Sequence, residues 1–392
     1  MAPQDLVCGC VAAECGRVSG PSGHAVPVLG VSQYSLLAMS LRRWILRVVL
    51  LTAVPASVAA QRPSATVAAD FIYEEAPFPS AHASTIVETA AGLVAAWFGG
   101  TEEGNPDVGI WLSRHDDPGW APPVEVATGI QEDGRREPCW NPVLFQPSRG
   151  PLLLFYKIGP SPRDWWGVVR TSSDQGRTWS DAIRLPDGVL GPIRAKPVEL
   201  SPGTLLAGSS TEHDGWVVHL ERFTTEADTE AGWQRALASP GAWERTGPLN
   251  DPDELAAIQP TILVHSAADL EILCRSRQGV IARSRSTDGG RTWAPMSLTD
   301  LPNPSAGIDA LRLTDGRFLL VYNPTTRGRR RLAVAVSDDG RSWRPGVALE
   351  NAQDGEYSYP AMIQTRDGQV HVSYTWRRQR IKHVVFDPSR IE

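Results

Sequence analysis

The stretch "SSDQGRTWS" (172–180) places a serine, an aspartate, a glycine and a tryptophan at fixed offsets. Close variants recur as "SRSTDGGRTWAP" (284–295) and, one residue shorter, as "VSDDGRSWRP" (336–345). In such a segment, serine and aspartate can bond turn amides, glycine tolerates a positive φ, and tryptophan can pack between neighbouring sheets. The repeat therefore predicts a recurring turn between two strands.

Tryptophans that follow a polar turn recur along the whole chain with a regular period. They are Trp120, Trp179, Trp233, Trp293 and Trp343, with spacings of 59, 54, 60 and 50 residues. A second series runs in phase with them, in which one apolar strand enters a turn and another leaves it. Its six hairpins are 84–97, 141–156, 196–208, 259–273, 309–322 and 359–374.

Each unit thus contains two strands in a hairpin, a third strand, a tryptophan turn and a fourth strand. Six such units predict an all-β fold, a six-bladed β-propeller of four-stranded antiparallel blades. The sixth unit lacks its last strand, and "ADFIYEEAPF" (69–78) is predicted to close the last blade from the N-terminal side. A β-sandwich would explain the strands but not their period of fifty to sixty residues.

Composition and charge restrict the function classes. The chain has 392 residues, 42% of them hydrophobic, and a net charge of −6, which argues against nucleic acid as a partner. The exception is "RGRRR" (327–331), which is short enough to be a solvated loop. Zinc-hydrolase, serine-hydrolase and nucleotide-binding motifs are absent from the sequence.

The N-terminal region resembles a secretory signal. Residues 39–60 combine an arginine pair (Arg42 and Arg43), an apolar stretch and small residues up to Ala60, near which cleavage is expected, so the mature chain is predicted to be periplasmic or extracellular. A short membrane anchor is the alternative. Residues 1–38 are interpreted as an over-extended start, 61–68 as a linker and 69–392 as the propeller. Only Cys139 and Cys274 remain in the mature chain, which is therefore no disulfide scaffold.

Topology predicts where polar side chains gather. In a propeller, the start of each first strand and the end of each second strand should ring one mouth of the central channel, opposite the tryptophan turns. Because several arginines lie at these points, we expect an anionic ligand, with tryptophan available for sugar stacking. Arg377 and Arg378 alternate sides, so at most one of them should face the channel. The candidates from this reasoning are His82, Trp140, Arg194, Lys196, Gln259, Asp309, Tyr359, Glu102, Glu103, Arg275, Arg277 and Arg377.

At these residues the chain resembles the sialidase superfamily of six-bladed propellers, and the likeness spans about residues 69–388. In that family three arginines bind the sialic acid carboxylate, a tyrosine is the nucleophile, a glutamate activates it, and an aspartate is the acid/base. The resemblance implies Tyr359 as nucleophile and Arg275 as the second arginine. It implies Arg329, Arg330 or Arg331 as the third arginine, and Glu102, Glu103 or Asp107 as the acid/base.

Two positions depart from the family pattern. His82 stands where the family has its first arginine, and Gln259 stands where it has the activating glutamate. Histidine can bind a carboxylate or transfer a proton near neutral pH, and it can equally serve as a turn hydrogen-bonder. The departures favour a different acidic sugar, such as a uronic or ulosonic acid.

Three functions remain open at this point. The first is an exo-sialidase-type glycoside hydrolase acting on a terminal acidic sugar of a glycan. The second is a polysaccharide lyase in which His82 and Tyr359 act as base and acid, and the third is a carbohydrate-binding propeller without catalysis. No cofactor or catalytic metal is predicted, although calcium in a propeller loop would leave no sequence signature.

Overall fold

The computed structural model describes residues 64–116 and 118–391. Its strands form six antiparallel sheets, and in four of the six neighbouring pairs of sheets the first strands contact one another around a channel. The predicted six-bladed β-propeller is therefore confirmed. The predicted signal segment 39–60 and residues 1–38 lie outside the described residues.

The six blades follow one another along the chain. Blade 1 comprises β2 (Ser80–Thr89), β3 (Gly92–Gly100), β4 (Gly109–Asp116) and β5 (Gly119–Trp120), with β6 (Val124–Ala127) also paired to β4. Blade 2 comprises β7 (Cys139–Phe145), β8 (Leu152–Ile158), β9 (Trp166–Ser172) and β10 (Ile183–Arg184). Blade 3 comprises β11 (Val198–Ser201), β12 (Thr204–Thr211), β13 (Val217–Thr224) and β14 (Trp243–Thr246).

The second half of the ring repeats this arrangement. Blade 4 comprises β15 (Ala257–Val264), β16 (Leu270–Ser276), β17 (Val280–Ser286) and β18 (Ser297–Pro302). Blade 5 comprises β19 (Asp309–Arg312), β20 (Phe318–Tyr322), β21 (Arg331–Ser337) and β22 (Arg344–Asn351). Blade 6 comprises β23 (Tyr357–Gln364), β24 (Val370–Trp376), β25 (Arg380–Phe386) and the N-terminal strand β1 (Thr66–Phe71).

The N-terminal strand closes the last blade, as predicted. β1 pairs antiparallel with β25, and Asp70 lies opposite His383 in the ladder. The strand begins at Thr66, inside the stretch assigned from sequence to the linker. Its outer position next to the third strand of blade 6 joins the two ends of the described chain in one sheet.

The repeated turn motif lies at the junction of the third and fourth strands in blades 2, 4 and 5. In the first copy, Ser172 Oγ accepts a hydrogen bond from the Gly176 amide at 2.8 Å, and Gly176 has a φ of 84°. Asp174 accepts hydrogen bonds from the Thr178 amide at 2.8 Å and from its hydroxyl at 2.6 Å. The motif is therefore a turn held together by its own serine and aspartate.

Trp233, which the sequence period placed after a similar turn, lies instead on a helix. Helix α1 (Glu230–Leu237) connects β13 to β14, and the Thr229 hydroxyl caps it by accepting from the Gly232 amide at 3.2 Å. The indole of Trp233 is fully buried against Phe223. Blade 3 thus keeps the tryptophan of the repeat but presents it from a helix.

Four of the first strands contain a bulge at the same place. The ladder between first and second strand shifts register there in blades 1, 2, 4 and 6, and the bulge includes a non-glycine residue with positive φ. Such a conformation costs about 1 kcal/mol or more and redirects a side chain. The residues are Ala83 (φ 56°), Asn141 (φ 39°), Gln259 (φ 58°) and Tyr359 (φ 51°).

Candidate functional site

Tyr359 lies at the bulge of β23, where its ring is surrounded by positive charge. The Tyr359 hydroxyl accepts a hydrogen bond from Arg275 Nη1 at 2.5 Å. The guanidinium carbons of Arg194, Arg275 and Arg329 lie 5.4, 5.7 and 5.6 Å from the centroid of the ring. Gly307 closes one side, since a Cβ there would lie 3.3 Å from the ring. Tyr359 is therefore a nearly buried phenol inside an arginine cluster.

His82 packs against Tyr359 from blade 1. The two ring centroids are 4.1 Å apart, and His82 Nδ1 is 2.9 Å from Thr375 Oγ1. His82 is 1% exposed, and its Nε2 has no hydrogen-bond partner among the described residues. Burial, followed by the positive charges of Arg378 and other arginines nearby, holds the pKa of His82 well below its ordinary value. The imidazole is therefore neutral.

Gln259 and Arg275 come from the first two strands of blade 4. Arg275 Nη1 donates to Gln259 Oε1 at 3.3 Å, so the carboxamide and the Tyr359 hydroxyl share one donor nitrogen. The guanidinium of Arg275 lies 4.9 Å from the Trp216 ring centroid, and that of exposed Arg277 lies 4.3 Å from it. Arg275 thus points into the site, whereas Arg277 covers the outer side of an indole.

Arg329 and Arg378 approach each other through one carboxylate. Glu356 Oε1 accepts from Arg329 Nη1 at 2.9 Å and from Arg378 Nε at 3.0 Å. Burial favours protonation of Glu356, but the charges of Arg378 and Arg329 outweigh it and lower its pKa. Arg378 also pairs with Glu103, and its carbonyl accepts from the Ala81 amide at 2.8 Å, beside His82.

Arg377 and Arg331 lie away from this cluster. Arg377 pairs with Asp354 at 2.9 Å and covers Trp376, while its neighbour Arg378 turns towards Glu356. Arg331 is exposed at the start of β21, and Arg329 is the arginine of that loop beside Tyr359. Both arginines of the 377–378 pair have positive φ, which alternation along a strand does not anticipate.

Lys196 and Asp309 bind each other inside the channel. Lys196 Nζ is 2.9 Å from Asp309 Oδ2, and the same carboxylate accepts from Thr261 Oγ1 and from the Met362 amide. Lys196 also lines a cavity of about 720 Å³ at the opposite mouth. These contacts give the pair a structural role, joining blades 3, 4, 5 and 6.

Arg194 is buried directly behind Tyr359. Its Nη2 donates to the Pro360 carbonyl at 2.5 Å, and its Nε and Nη1 have no partner among the described residues. Burial lowers the pKa of Arg194 to about 10, against the opposing effect of Asp309. Arg194 therefore carries a positive charge at neutral pH, and two of its nitrogens remain available as donors.

The loop between β3 and β4 holds three carboxylates and covers Trp140. Asp107 accepts from the Thr101 amide and hydroxyl, each at 2.8 Å, which fixes this carboxylate within the loop. Glu103 pairs with Arg378, whereas the carboxylate of exposed Glu102 has no hydrogen bond or ion pair to another described residue. Trp140 is buried, with Nε1 donating to the Gly159 carbonyl at 2.8 Å, so it forms a wall of the site.

Three residues of this cluster escaped the reasoning from sequence. Glu356 precedes the tyrosine strand, Thr375 lies inside β24, and Trp216 lies after the end of β12. Glu356 had a signal, since it is the acidic residue nearest in sequence to Tyr359.

Within the described ranges, no group of His, Cys, Asp and Glu side chains is arranged to hold a metal ion. In the same residues, no helix has the length and apolar character needed to cross a membrane.

Comparison with known proteins agrees with this architecture. A sialidase of Micromonospora viridifaciens is 24% identical over 330 residues, which cover 76% of this chain and 43% of that protein. The chain thus spans less than half the length of this relative.

Solved structures show the same fold at low identity. A protein of unknown function from Dyadobacter fermentans superposes with a TM-score of 0.64 and 18% identity, covering 82% of this chain and 98% of that one. The Hadza microbial sialidase Hz136 gives a TM-score of 0.63 and 16% identity, covering 80% and 66%. The model of the BNR repeat-like domain matches residues 91–372. The chain therefore belongs to the BNR repeat-like family, within the sialidase superfamily of six-bladed propellers.

Proposed function

We propose that this protein is an exported glycoside hydrolase of sialidase type that removes a terminal acidic sugar from a glycan. The main support is the set of guanidinium groups around Tyr359, with Arg275 Nη1 2.5 Å from its hydroxyl. Guanidinium groups bind carboxylates through paired, charge-assisted hydrogen bonds. Relatives named as sialidases act in the same class of chemistry, and the segment 39–60 supports export.

In this proposal, Tyr359 Oη attacks the anomeric carbon, the glycosidic C–O bond breaks, and the neutral imidazole of His82 takes the phenolic proton. A neutral phenol suits an acidic sugar, because an anionic nucleophile would be repelled by the substrate's carboxylate. A protonated carboxyl group of the 101–107 loop gives its proton to the leaving oxygen. Glu102, whose carboxylate has no partner among the described residues, and Asp107, which Thr101 fixes in place, are the two candidates for this step. Water then replaces the tyrosine oxygen at the anomeric carbon and gives a proton to a carboxylate of the 101–107 loop, while His82 returns its proton to Tyr359 Oη.

The sugar carboxylate would lie among Arg275, Arg329 and Arg378. Arg378 supplies the positive charge that the family pattern places at the position of His82. Glu356 holds its guanidinium next to that of Arg329, and the pairing with Glu103 orients it further. The arginine set is thereby completed from blade 6 instead of blade 1.

A second candidate is a lyase, and one observation favours it. His82 is neutral and packs against Tyr359, and its Nε2 has no partner among the described residues. Such an imidazole can remove the proton next to a uronate carboxylate whose charge the arginines neutralise. Tyr359 would then protonate the leaving oxygen, and the sugar would keep a carbon–carbon double bond.

The deciding experiment measures products from a panel of sialic, ulosonic and uronic acid glycosides in ¹⁸O-labelled water. A hydrolase places the label on the anomeric oxygen of the released sugar, whereas a lyase yields an unlabelled sugar that absorbs in the ultraviolet. Tyr359→Phe is expected to reduce turnover at least a thousandfold, because the attacking oxygen is removed. Tyr322→Phe, a buried tyrosine of blade 5, is the matched control and should keep full activity.

Each result bears on the proposal. Labelled sugar that disappears in Tyr359→Phe supports the hydrolase, and unsaturated sugar overturns it in favour of the lyase. Binding of acidic sugars without any product would show a carbohydrate-binding propeller instead. Full activity of Tyr359→Phe would remove the tyrosine from the mechanism.

A further inference from the structure

Three arginines lie outside the site, on the loop that also carries Arg329. We define the arginine rim as Arg327, Arg330 and Arg331, all of which are exposed. The loop is tied to the tyrosine strand, because Asn323 Nδ2 donates to the Tyr357 carbonyl at 2.8 Å and to the Arg331 carbonyl at 2.6 Å. The rim is thus anchored beside the mouth that contains Tyr359.

The rim borders a cavity of about 400 Å³ at the edge of blade 5, between the β20–β21 loop and the segment that follows β22. The other lining residues are Thr325, Asn351, Ala352 and Gln353, so none of the lining residues is acidic. The backbone supports this cavity, since Arg330 Nη1 donates to the Gln353 carbonyl at 2.8 Å and the Ala352 amide donates to the Arg330 carbonyl at 3.1 Å.

The charge of the rim is not balanced by the protein. Among the described residues, no carboxylate forms an ion pair with Arg327, Arg330 or Arg331. The acidic residues on either side of the lining segment 351–353 are engaged elsewhere: Glu350 binds Lys382 at 2.7 Å and Asp354 binds Arg377 at 2.9 Å. Three like charges that share a concave surface repel one another, and an anionic ligand removes this repulsion.

We propose that the arginine rim binds a second negatively charged group of a glycan whose terminal acidic sugar occupies the Tyr359 site. The substrate is then a polyanionic glycan chain that leaves the site over the β20–β21 loop of blade 5. This inference rests on the proposed function for the terminal sugar, but the rim itself is tested by binding. Specificity for the glycan would come from the negative charges along its length.

The test compares two variants of equal charge change in the full chain. The rim variant is Arg327→Ser/Arg330→Ser/Arg331→Ser, and the control is Arg177→Ser/Arg291→Ser/Arg341→Ser, whose exposed arginines lie on the turns at the opposite face. Polygalacturonate and chondroitin sulfate serve as anionic probes, and dextran serves as the neutral one. Calorimetry gives the dissociation constants at low and high salt.

We expect the rim variant to bind at least one anionic probe about tenfold more weakly at low salt, since exposed ion pairs contribute modestly and are screened. Its salt dependence should fall, and the KM for a small acidic glycoside should stay unchanged. Arg327→Ser alone, which breaks no ion pair, should show a smaller loss in the same direction and guards against misfolding of the triple variant.

Several outcomes would contradict the proposal that the arginine rim binds an anionic glycan. These are equal weakening in the control variant, unchanged binding in the rim variant, or no binding of either anionic probe by the native protein. Failure of the proposed function looks different, because turnover of the small glycoside would be absent while rim-dependent binding of the polymer persisted.

Discussion

Tyr359 and His82 show how the site combines burial with charge. Tyr359 is 9% exposed and His82 is 1% exposed, yet the guanidinium carbons of three arginines lie 5.4 to 5.7 Å from the centroid of the Tyr359 ring. The guanidinium groups would repel a positive charge at position 82, so a neutral imidazole is the form that the surroundings favour. A histidine at this position therefore keeps the cluster from becoming more positive.

The protonation state of His82 can be measured through stability. Since its pKa in the fold is well below the unfolded value of about 6.5, acidification adds a proton to the unfolded chain only. Stability due to this group is complete above pH 6.5, and it falls by about 1.4 kcal/mol for each pH unit below that, while folded His82 stays neutral. We expect His82→Gln to lose this part of the pH dependence in denaturant unfolding.

The control for this prediction is His213→Gln, which alters an exposed histidine of blade 3. Its unfolding free energy should follow that of the native protein between pH 7 and pH 5. Equal slopes in His82→Gln and the native protein would mean that His82 takes up a proton in the folded state.

The sequence predicted which side chains gather at one mouth of the channel but not which of them contact one another. The starts of first strands and the ends of second strands do gather at one mouth, because that follows from blade topology alone. The choice between Arg377 and Arg378 depends on two consecutive positive φ angles, and strand alternation carries no information about them. Lys196 at the start of blade 3 binds Asp309 of blade 5, which no local pattern indicates.

At the scale of the element, the repeated turn motif proves to be a capped turn. In the copies at 172–179 and 286–293, the aspartate accepts hydrogen bonds from a threonine amide and hydroxyl. Burial would raise the pKa of Asp174, but hydrogen bonds from Thr178 and Ser172 lower it to about 2. The sequence predicted this turn because the hydrogen bonds that form it join residues close in the chain. Helix α1 interrupts the series in blade 3, where Trp233 packs against Phe223, and a local pattern does not indicate such packing.

Asp174→Ala should therefore destabilise the protein without affecting its site. We expect a loss of about 1–2 kcal/mol in the free energy of unfolding at pH 7, by analogy with lost capping bonds. Because the folded pKa is depressed, the carboxylate stabilises the fold above pH 4, and this contribution disappears as the pH falls towards 2. The difference between variant and native protein should shrink accordingly in acid.

Thermal and denaturant unfolding at neutral and at acidic pH give the difference in stability between Asp174→Ala and the native protein. Binding of an acidic sugar provides the second measurement. Asp181→Ala, which changes an exposed aspartate after the same turn, should cause little loss of stability. A large fall in sugar affinity in Asp174→Ala would contradict the separation of the turn from the site.

For the whole molecule, ring closure by β1 is the long-range feature that matters most. Five residue pairs join β1 to β25, from Thr66 opposite Phe386 to Phe71 opposite Lys382. The guanidinium of Arg380 also lies 3.7 Å from the Phe71 ring centroid. Since blade 6 also contributes Tyr359 and Arg378, closure of this blade supports the site as well as the fold.

Proline substitutions in β1 test the closure. In an edge strand, alternate amides point to the neighbour, so only one of Ala69 and Asp70 donates to β25. Of the variants Ala69→Pro and Asp70→Pro, the one that removes the ladder bond should lose about 1–3 kcal/mol, and the other should lose clearly less. Thermal unfolding measures both, with Ala69→Ser as control, and equal stability of all three variants would speak against closure by β1.

The bulges of the four first strands have a consequence for how such a protein can change over time. Each one presents a side chain at a similar depth, and the backbone bend that does so does not require one particular residue, as Ala83, Asn141, Gln259 and Tyr359 all adopt it. Substitutions at or beside these positions can therefore exchange the reacting groups while the sheets stay as they are. The bulges are therefore positions at which side chains can be exchanged while the propeller is retained. One scaffold can in this way acquire new chemistry in one blade at a time.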